Sequence, residues 1–182
     1  MVVERITSGS GTRWVGIDGK GASGKTTLAA QLAVAWREAH PDALCGPAVI
    51  HVDDFARPDL RGWDRDRFMA QVRDPLLAGR TARYLCWDFD TDSPVGWVEV
   101  EPGGPVIVEG VSSTDIRLAI PWDVTIWVDV PRELRLRRAL ARDGEVMRER
   151  WLTDWMPSED DYEREQRPQR RVDLIVDPRN EP

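Results

Sequence analysis

Two adjacent carboxylates, Asp53-Asp54, a glutamate ending an apolar run, Glu109, and two lysines within one glycine-rich stretch carry the clearest chemistry in this chain. The stretch runs Val15-Gly16-Ile17-Asp18-Gly19-Lys20-Gly21-Ala22-Ser23-Gly24-Lys25-Thr26-Thr27-Leu28. It matches Gly-x-x-x-x-Gly-Lys-Ser/Thr, with Gly19, Gly24, Lys25 and Thr26 at the fixed positions. Glycine at 19, 21 and 24 permits backbone conformations closed to residues with a Cβ, so successive N–H groups can turn inward around an anion. The spacing predicts a cradle for the phosphates of ATP made by Gly19, Gly21, Ala22, Ser23, Gly24, Lys25, Thr26 and Thr27. Lys25 would reach the β- and γ-phosphates, and the Thr26 hydroxyl would hold Mg²⁺.

Composition points to the same loop. The chain carries 25 lysines and arginines together, and its only lysines are Lys20 and Lys25. Elsewhere arginine supplies positive charge, so Lys25 stands where a compact ammonium cannot be exchanged for a planar fork. Lys20 can either touch phosphate or be a solvated loop residue, and the sequence leaves both open. Such a cradle needs a metal partner and an acceptor. Glu109 is placed where a carboxylate would hold Mg²⁺ or its water shell. Asp53 and Asp54 follow a second apolar run, so one of them can accept the proton of an attacking hydroxyl. Arg135, Arg138 and Arg142 share one stripe of a helix and could supply positive charge to a transferring phosphoryl group.

The elements that position these groups alternate. A strand over Trp14 to Ile17 leads into the loop, and Leu28, Leu32 and Trp36 with Ala29 and Ala33 predict a helix over about 25–39, ended by His40-Pro41. Pro47 to Val52 predicts a buried strand that delivers Asp53-Asp54. Asp64 to Val72 predicts a short helix, with Asp74-Pro75 starting a fresh one. Arg83 to Phe89 and Trp97 to Val100 predict a hairpin arm joined by the turn-rich 90–96 segment. Further strands are expected at Pro105 to Val108, Asp123 to Val130 and Val172 to Val176. Between the last two lie a helix from Arg132 to about Arg142 and a later one that Ser158-x-x-Asp161 would cap.

Uniformly apolar strands alternating with helices imply an α/β fold of the P-loop NTPase type. The expectation is one domain over 1–182, with a parallel sheet of about five strands covered by helices on both faces, a small hairpin arm and a short arginine-bearing lid.

Several of these segments together resemble the uridine kinase-like group of P-loop kinases, which includes uridine kinase, phosphoribulokinase, pantothenate kinase and nicotinamide riboside kinase. Asp53-Asp54-Phe55 resembles the group's Asp-x-Phe segment, which implies Asp53 as catalytic base and leaves Asp54 to the acceptor site. Trp63-Asp64 and Asp66-Arg67-Phe68 resemble the following segment, and imply that Asp64 binds the acceptor. Val108-Glu109-Gly110 is similar to the strand ending in Glu-Gly. Arg135-Leu136-Arg137-Arg138-Ala139-Leu140-Ala141-Arg142-Asp143 is similar to the helix entering the lid, with Ala139 replacing the second arginine of a pair. Arg138 and Arg142 are thereby implied as catalytic arginines. Val172 to Val176 resembles the closing strand beside the adenine site. Trp87 to Pro94 is similar to the uridine kinase hairpin, implying Trp87 and Asp92 in the acceptor site. Asp92, however, stands in place of a base-reading histidine and Pro94 in place of an arginine.

The resemblance implies transfer of the γ-phosphoryl group of ATP, with Mg²⁺, to a hydroxyl of a nucleoside or nucleoside-like small molecule. A sugar, a vitamin precursor or an antibiotic hydroxyl is the alternative acceptor, and a non-catalytic ATP-binding module the alternative class. Guanine recognition through Asn-Lys-x-Asp is excluded, because the only asparagine is Asn180. A net charge of −7 argues against a broad nucleic-acid or anionic-membrane surface. Cys45 and Cys86 have no metal-like spacing and read as small, buried or partly buried residues of a reduced, cytoplasmic protein. The N-terminus shows no signal pattern, and no apolar run approaches a membrane span. Trp63, Trp87 and Trp97 fall in the expected acceptor region, where indole rings either stack on a ligand or cover core.

Overall fold

Apolar runs along the chain pair into strands, and glycine, proline and acidic turns separate them. The computed structural model describes residues 11–57, 62–88, 91 and 93–178, and Asp92 lies outside them. The strands are β1 (Arg13–Gly19), β2 (Ala48–His51), β3 (Ala82–Asp88), β4 (Ser93–Val100), β5 (Pro105–Glu109), β6 (Val124–Val128) and β7 (Leu174–Val176). Five of them form one parallel sheet in the order β2-β5-β1-β6-β7. β3 and β4 pair antiparallel as a separate hairpin, with a bulge between Cys86 and Trp87. β4 begins at Ser93, so the turn is shorter than the predicted 90–96 segment.

The central strands β5 and β6 are buried along their whole length, and β1 from Trp14 onward. Their side chains alternate between two cores, as the two-residue strand period requires. Val15, Ile17, Ile107 and Ile126 pack with Ala29, Ala33 and Trp36 of α1 (Lys25–Ala39). Trp14, Val106 and Val108 pack on the other side with Phe55, Phe68, Val72, Leu76, Tyr84 and Val100. That second face is covered by α2 (Arg65–Phe68), α3 (Asp74–Leu77) and the hairpin. Both edges of the sheet are short, four residues in β2 and three in β7, which limits the backbone offered for pairing with another chain.

The helices depart from expectation at two places with one cause. α2 and α3 do not break between Val72 and Asp74; a wide π turn, Met69–Arg73, carries the chain through, and the Asp74 N–H donates to the Met69 carbonyl. The same device recurs after α4 (Arg132–Asp143) and α5 (Arg148–Arg150), where the π turn Trp151–Trp155 runs into α6 (Met156–Gln166). Each π turn falls directly before an X-Pro pair, Asp74-Pro75 and Met156-Pro157. Proline has no N–H and its ring crowds the preceding turn, and an added residue accommodates both. The predicted capping box at Ser158 is thereby corrected. α6 enters from a helix already running, its start has no side-chain cap, and Ser158 lies inside its first turn.

All five parallel strands end at one edge of the sheet, and there β5 turns sharply at Gly110. Gly110 has φ +142°, and a Cβ on it would stand 2.1 Å from Val52 Cγ2. Gly110→Ala should therefore destabilise the fold by about 2 kcal/mol or more, read as a lowered urea midpoint at unchanged m-value.

Candidate active site

The carboxyl edge of the sheet gathers the chemistry-bearing residues through strand register. In β2 and β5, His51 pairs with Glu109, and in β1 Ile17 pairs with the same glutamate, so the loop that leaves β1 opens beside both. Positive φ falls at Gly19, Ala22 and Gly24, with values of 143°, 59° and 100°. Gly21 is not among them: the left-handed residue is Ala22. Gly19 must be glycine because a Cβ there would lie 2.6 Å from the Val128 carbonyl. Gly24 caps α1, whose first N–H groups face the loop.

Lys25 is 7% exposed and donates to the Lys20 carbonyl at 2.9 Å. Burial lowers its pKa, against the opposing pull of Glu109, Asp18, Asp53 and Glu159. The Thr26 hydroxyl donates to Glu109 Oε1 at 2.8 Å, and His51 Nδ1–H donates to the same oxygen at 2.6 Å. That hydrogen bond raises the His51 pKa. Burial alone would raise Glu109, but His51, Lys25 and Thr26 more than offset it and hold the carboxylate below its ordinary range. A threonine hydroxyl beside an ionised carboxylate is a hard-oxygen pair suited to Mg²⁺. Among the described residues no group of three or more His, Cys, Asp or Glu forms a cage, so the ion would take its remaining ligands from phosphate and water.

Asp53 and Asp54 follow β2 in a tight 3₁₀ turn, Val52–Phe55, and their environments differ. Asp54 is engaged: the Cys86 thiol donates to Oδ1 at 2.9 Å, the Tyr84 hydroxyl to Oδ2 at 3.4 Å, and Arg67 to its backbone carbonyl at 2.6 Å. Burial and this bond push the Cys86 thiol up to about 11. Asp53 keeps accessible surface, yet protein crowds its carboxyl. That crowding raises its pKa, with Glu109 and Asp54 adding to the effect and Lys25 and His51 opposing it.

The remaining sequence-predicted residues divide. Asp64 is the N-cap of α2, accepting from the Arg67 N–H at 2.9 Å, with Arg57 3.9 Å from its other oxygen. Trp87 is half-buried in the hairpin. Trp63 is buried and donates to Ser112, so its ring is not free to stack on a ligand, whereas Trp97 is exposed with Arg83 over its ring. The arginine stripe splits as well. Arg138 and Arg142 are exposed, and Arg142 feels Asp53 electrostatically while pairing with Asp143 at 2.6 Å. Arg135 turns inward and pairs with Glu159 at 2.8 Å.

Lys20 follows neither open reading. It is held by Asp160 at 2.6 Å and by Glu163, and these ion pairs outweigh burial to raise its pKa.

Residues the sequence did not single out complete the site. Asp18 has no accessible surface and accepts from the N–H groups of Gly19, Ser112 and Thr114 and from the Thr114 and Tyr162 hydroxyls. His51 could have been suspected from its place two residues before Asp53 at a strand end. Glu159 and Tyr162 carried no local signal.

No protein-family model and no curated protein matches the sequence. Solved structures do. A possible uridine kinase from Bacillus stearothermophilus is 22% identical with a TM-score of 0.73, over 97% of this chain and 95% of that one. A candidate fructose transport system kinase from Silicibacter sp. TM1040 is 19% identical with a TM-score of 0.69, over 96% of this chain and 95% of that one. These likenesses show the fold: an α/β P-loop fold with five parallel strands, shared with kinases of the uridine kinase-like kind. Among the described residues no helix is long and apolar enough to cross a membrane.

The site's electrostatics can be read in the free protein. The Asp53 carboxyl should titrate above its ordinary 3.8 in carboxyl-detected NMR. Lys25→Met, by removing the positive charge that opposes the shift, should move it higher still.

Proposed function

We propose that this chain is an ATP-dependent small-molecule kinase that transfers the γ-phosphoryl group to a hydroxyl of a nucleoside or nucleoside-like metabolite. The observation that carries the reading is the convergence of Lys25 at the start of α1, Glu109 at the end of β5 and Asp53 in the turn after β2, close enough for the first two to shift the third. In this reading, the N–H groups from Ala22 to Thr27 cradle the phosphates and Lys25 turns from the Lys20 carbonyl toward them. Thr26 and Glu109 would hold Mg²⁺, which would supply positive charge beside the phosphates.

Asp53 is the base. Among the described residues no hydrogen bond occupies its carboxyl, whereas Asp54 is held by Cys86 and Tyr84. Asp53 takes the acceptor's hydroxyl proton as that oxygen bonds to the γ-phosphorus and the bond to the β–γ bridging oxygen breaks, leaving ADP. A raised pKa makes it a better proton acceptor. Arg142, within electrostatic reach of Asp53, and the exposed Arg138 stabilise charge on the transferring group. Asp54, Asp64, Trp87 and Asp92 belong to the acceptor side, and Asp92 lies outside the described residues.

A sugar hydroxyl is the second reading. Two observations favour it: the likeness to a candidate fructose transport system kinase, and Pro94 in β4, where the uridine kinase pattern has arginine.

The test is ADP release with Mg·ATP against panels of nucleosides and sugars. One acceptor class should stimulate release well above the acceptor-free rate, and none doing so would overturn the reading. Lys25→Ala should lower kcat/KM by about 10²-fold or more. Asp53→Asn should lower kcat by roughly 10²- to 10⁴-fold with ATP binding nearly unchanged. If Asp54→Asn alone has that effect, the roles of the two aspartates are reversed.

A further inference from the structure

The inner face of α6 closes over the outer side of the phosphate loop. Glu159 Oε1 accepts the Gly21 N–H at 2.8 Å, and Oε2 accepts from Arg135 Nη1 at 2.8 Å. The same guanidinium nitrogen reaches the Gly21 carbonyl at 3.3 Å. Both side chains are withdrawn from water, Arg135 2% and Glu159 6% exposed. A Cβ on Gly21 would meet Glu159 Oε1 at 2.6 Å and the Trp151 ring at 2.8 Å, so the residue is glycine to admit this contact.

We propose that Glu159 is a positioning residue for the phosphate cradle: held by buried Arg135, it turns the Gly21 peptide away from the phosphate site and fixes the loop's shape for ATP. The Gly21 N–H points to a protein carboxylate and so contributes nothing directly to phosphate. The cradle proper is the run from Ala22 to Thr27, and the Gly21 peptide is its hinge post, gripped on its N–H by Glu159 and on its carbonyl by Arg135. Lys20, bound to Asp160, which follows Glu159, and to Glu163, one turn along the same helix, secures the preceding residue. A buried ion pair holds such a peptide better than a neutral pair because charged acceptors and donors make the stronger hydrogen bonds. The role assigned to Glu159 rests on the ATP-binding reading, and its test separates the two.

Wild-type protein, Glu159→Ala and Glu159→Gln are titrated with Mg·ATP by calorimetry, and Gly21 amide exchange is followed by NMR in the free proteins. Glu159→Ala should speed Gly21 exchange and weaken ATP by about tenfold, leaving the acceptor KM within about twofold of wild type. Glu159→Gln keeps an oxygen for the Gly21 N–H and should restore both exchange and affinity to within about threefold. Unchanged exchange or unchanged ATP affinity in Glu159→Ala overturns the inference. So does a glutamine variant as weak as the alanine one, or a loss of acceptor affinity equal to the loss for ATP. Wild-type protein that binds no ATP overturns the kinase reading instead, and the exchange rates then decide alone whether Glu159 holds the loop.

Discussion

A carboxylate with no contact with water stands one residue before the phosphate loop, and much of the surrounding structure exists to satisfy it. Burying an ionised Asp18 without partners would cost several kcal/mol. Instead five donors converge on it, from the start of the loop itself, from the 112–114 segment after β5, and from Tyr162 of α6. Those three segments are thereby fixed relative to one another at the point where β1 ends. Ser112 and Asp115 extend the network to Arg65 at the start of α2, so that helix is tied to the same frame. Because each donor satisfies a shared acceptor, loss of any one strands charge that the others cannot fully cover.

The order of elements was legible because it rests on local signals. Glycine spacing with an apolar run before and helical periodicity after places β1, the loop and α1 almost to the residue. The meeting of Thr26 with Glu109 also follows, since a strand-end glutamate can face the loop only if β5 lies beside β1, and it does. Two things were hidden. The π turns before Pro75 and Pro157 read as helix breaks, because proline signals a stop and nothing local shows that an extra residue will absorb it. On α6, Asp160, Glu159 and Tyr162 lie 140, 138 and 144 positions from the Lys20, Gly21 and Asp18 they bind, on a helix whose acidic residues look like any solvated face. Periodicity can say that α6 has such a face; only the packing of Trp151 and Met156 beneath α4 says that it meets the loop.

The two neighbouring aspartates show how environment divides chemically equal groups. Asp54 is turned toward β3, where a thiol and a phenol occupy its oxygens. Asp53 is turned toward Lys25 and Glu109 and is left without such partners, so its affinity for a proton is set by crowding and by the balance of nearby charge. The family resemblance already favours Asp53 as base; the hairpin adds a difference of environment, because Tyr84 and Cys86 bond Asp54 alone.

The scarcity of lysine has a consequence for the protein as a chemical object. Lys25 is buried and Lys20 is bound between two carboxylates, so almost no ammonium is presented on the remaining surface. Acylation, aldehyde labelling or cross-linking aimed at lysine would find no bystander side chains to consume the reagent. Any adduct on a lysine must fall within the phosphate loop, and each one would mark a moment when that loop had loosened its hold on α6 or on its own backbone.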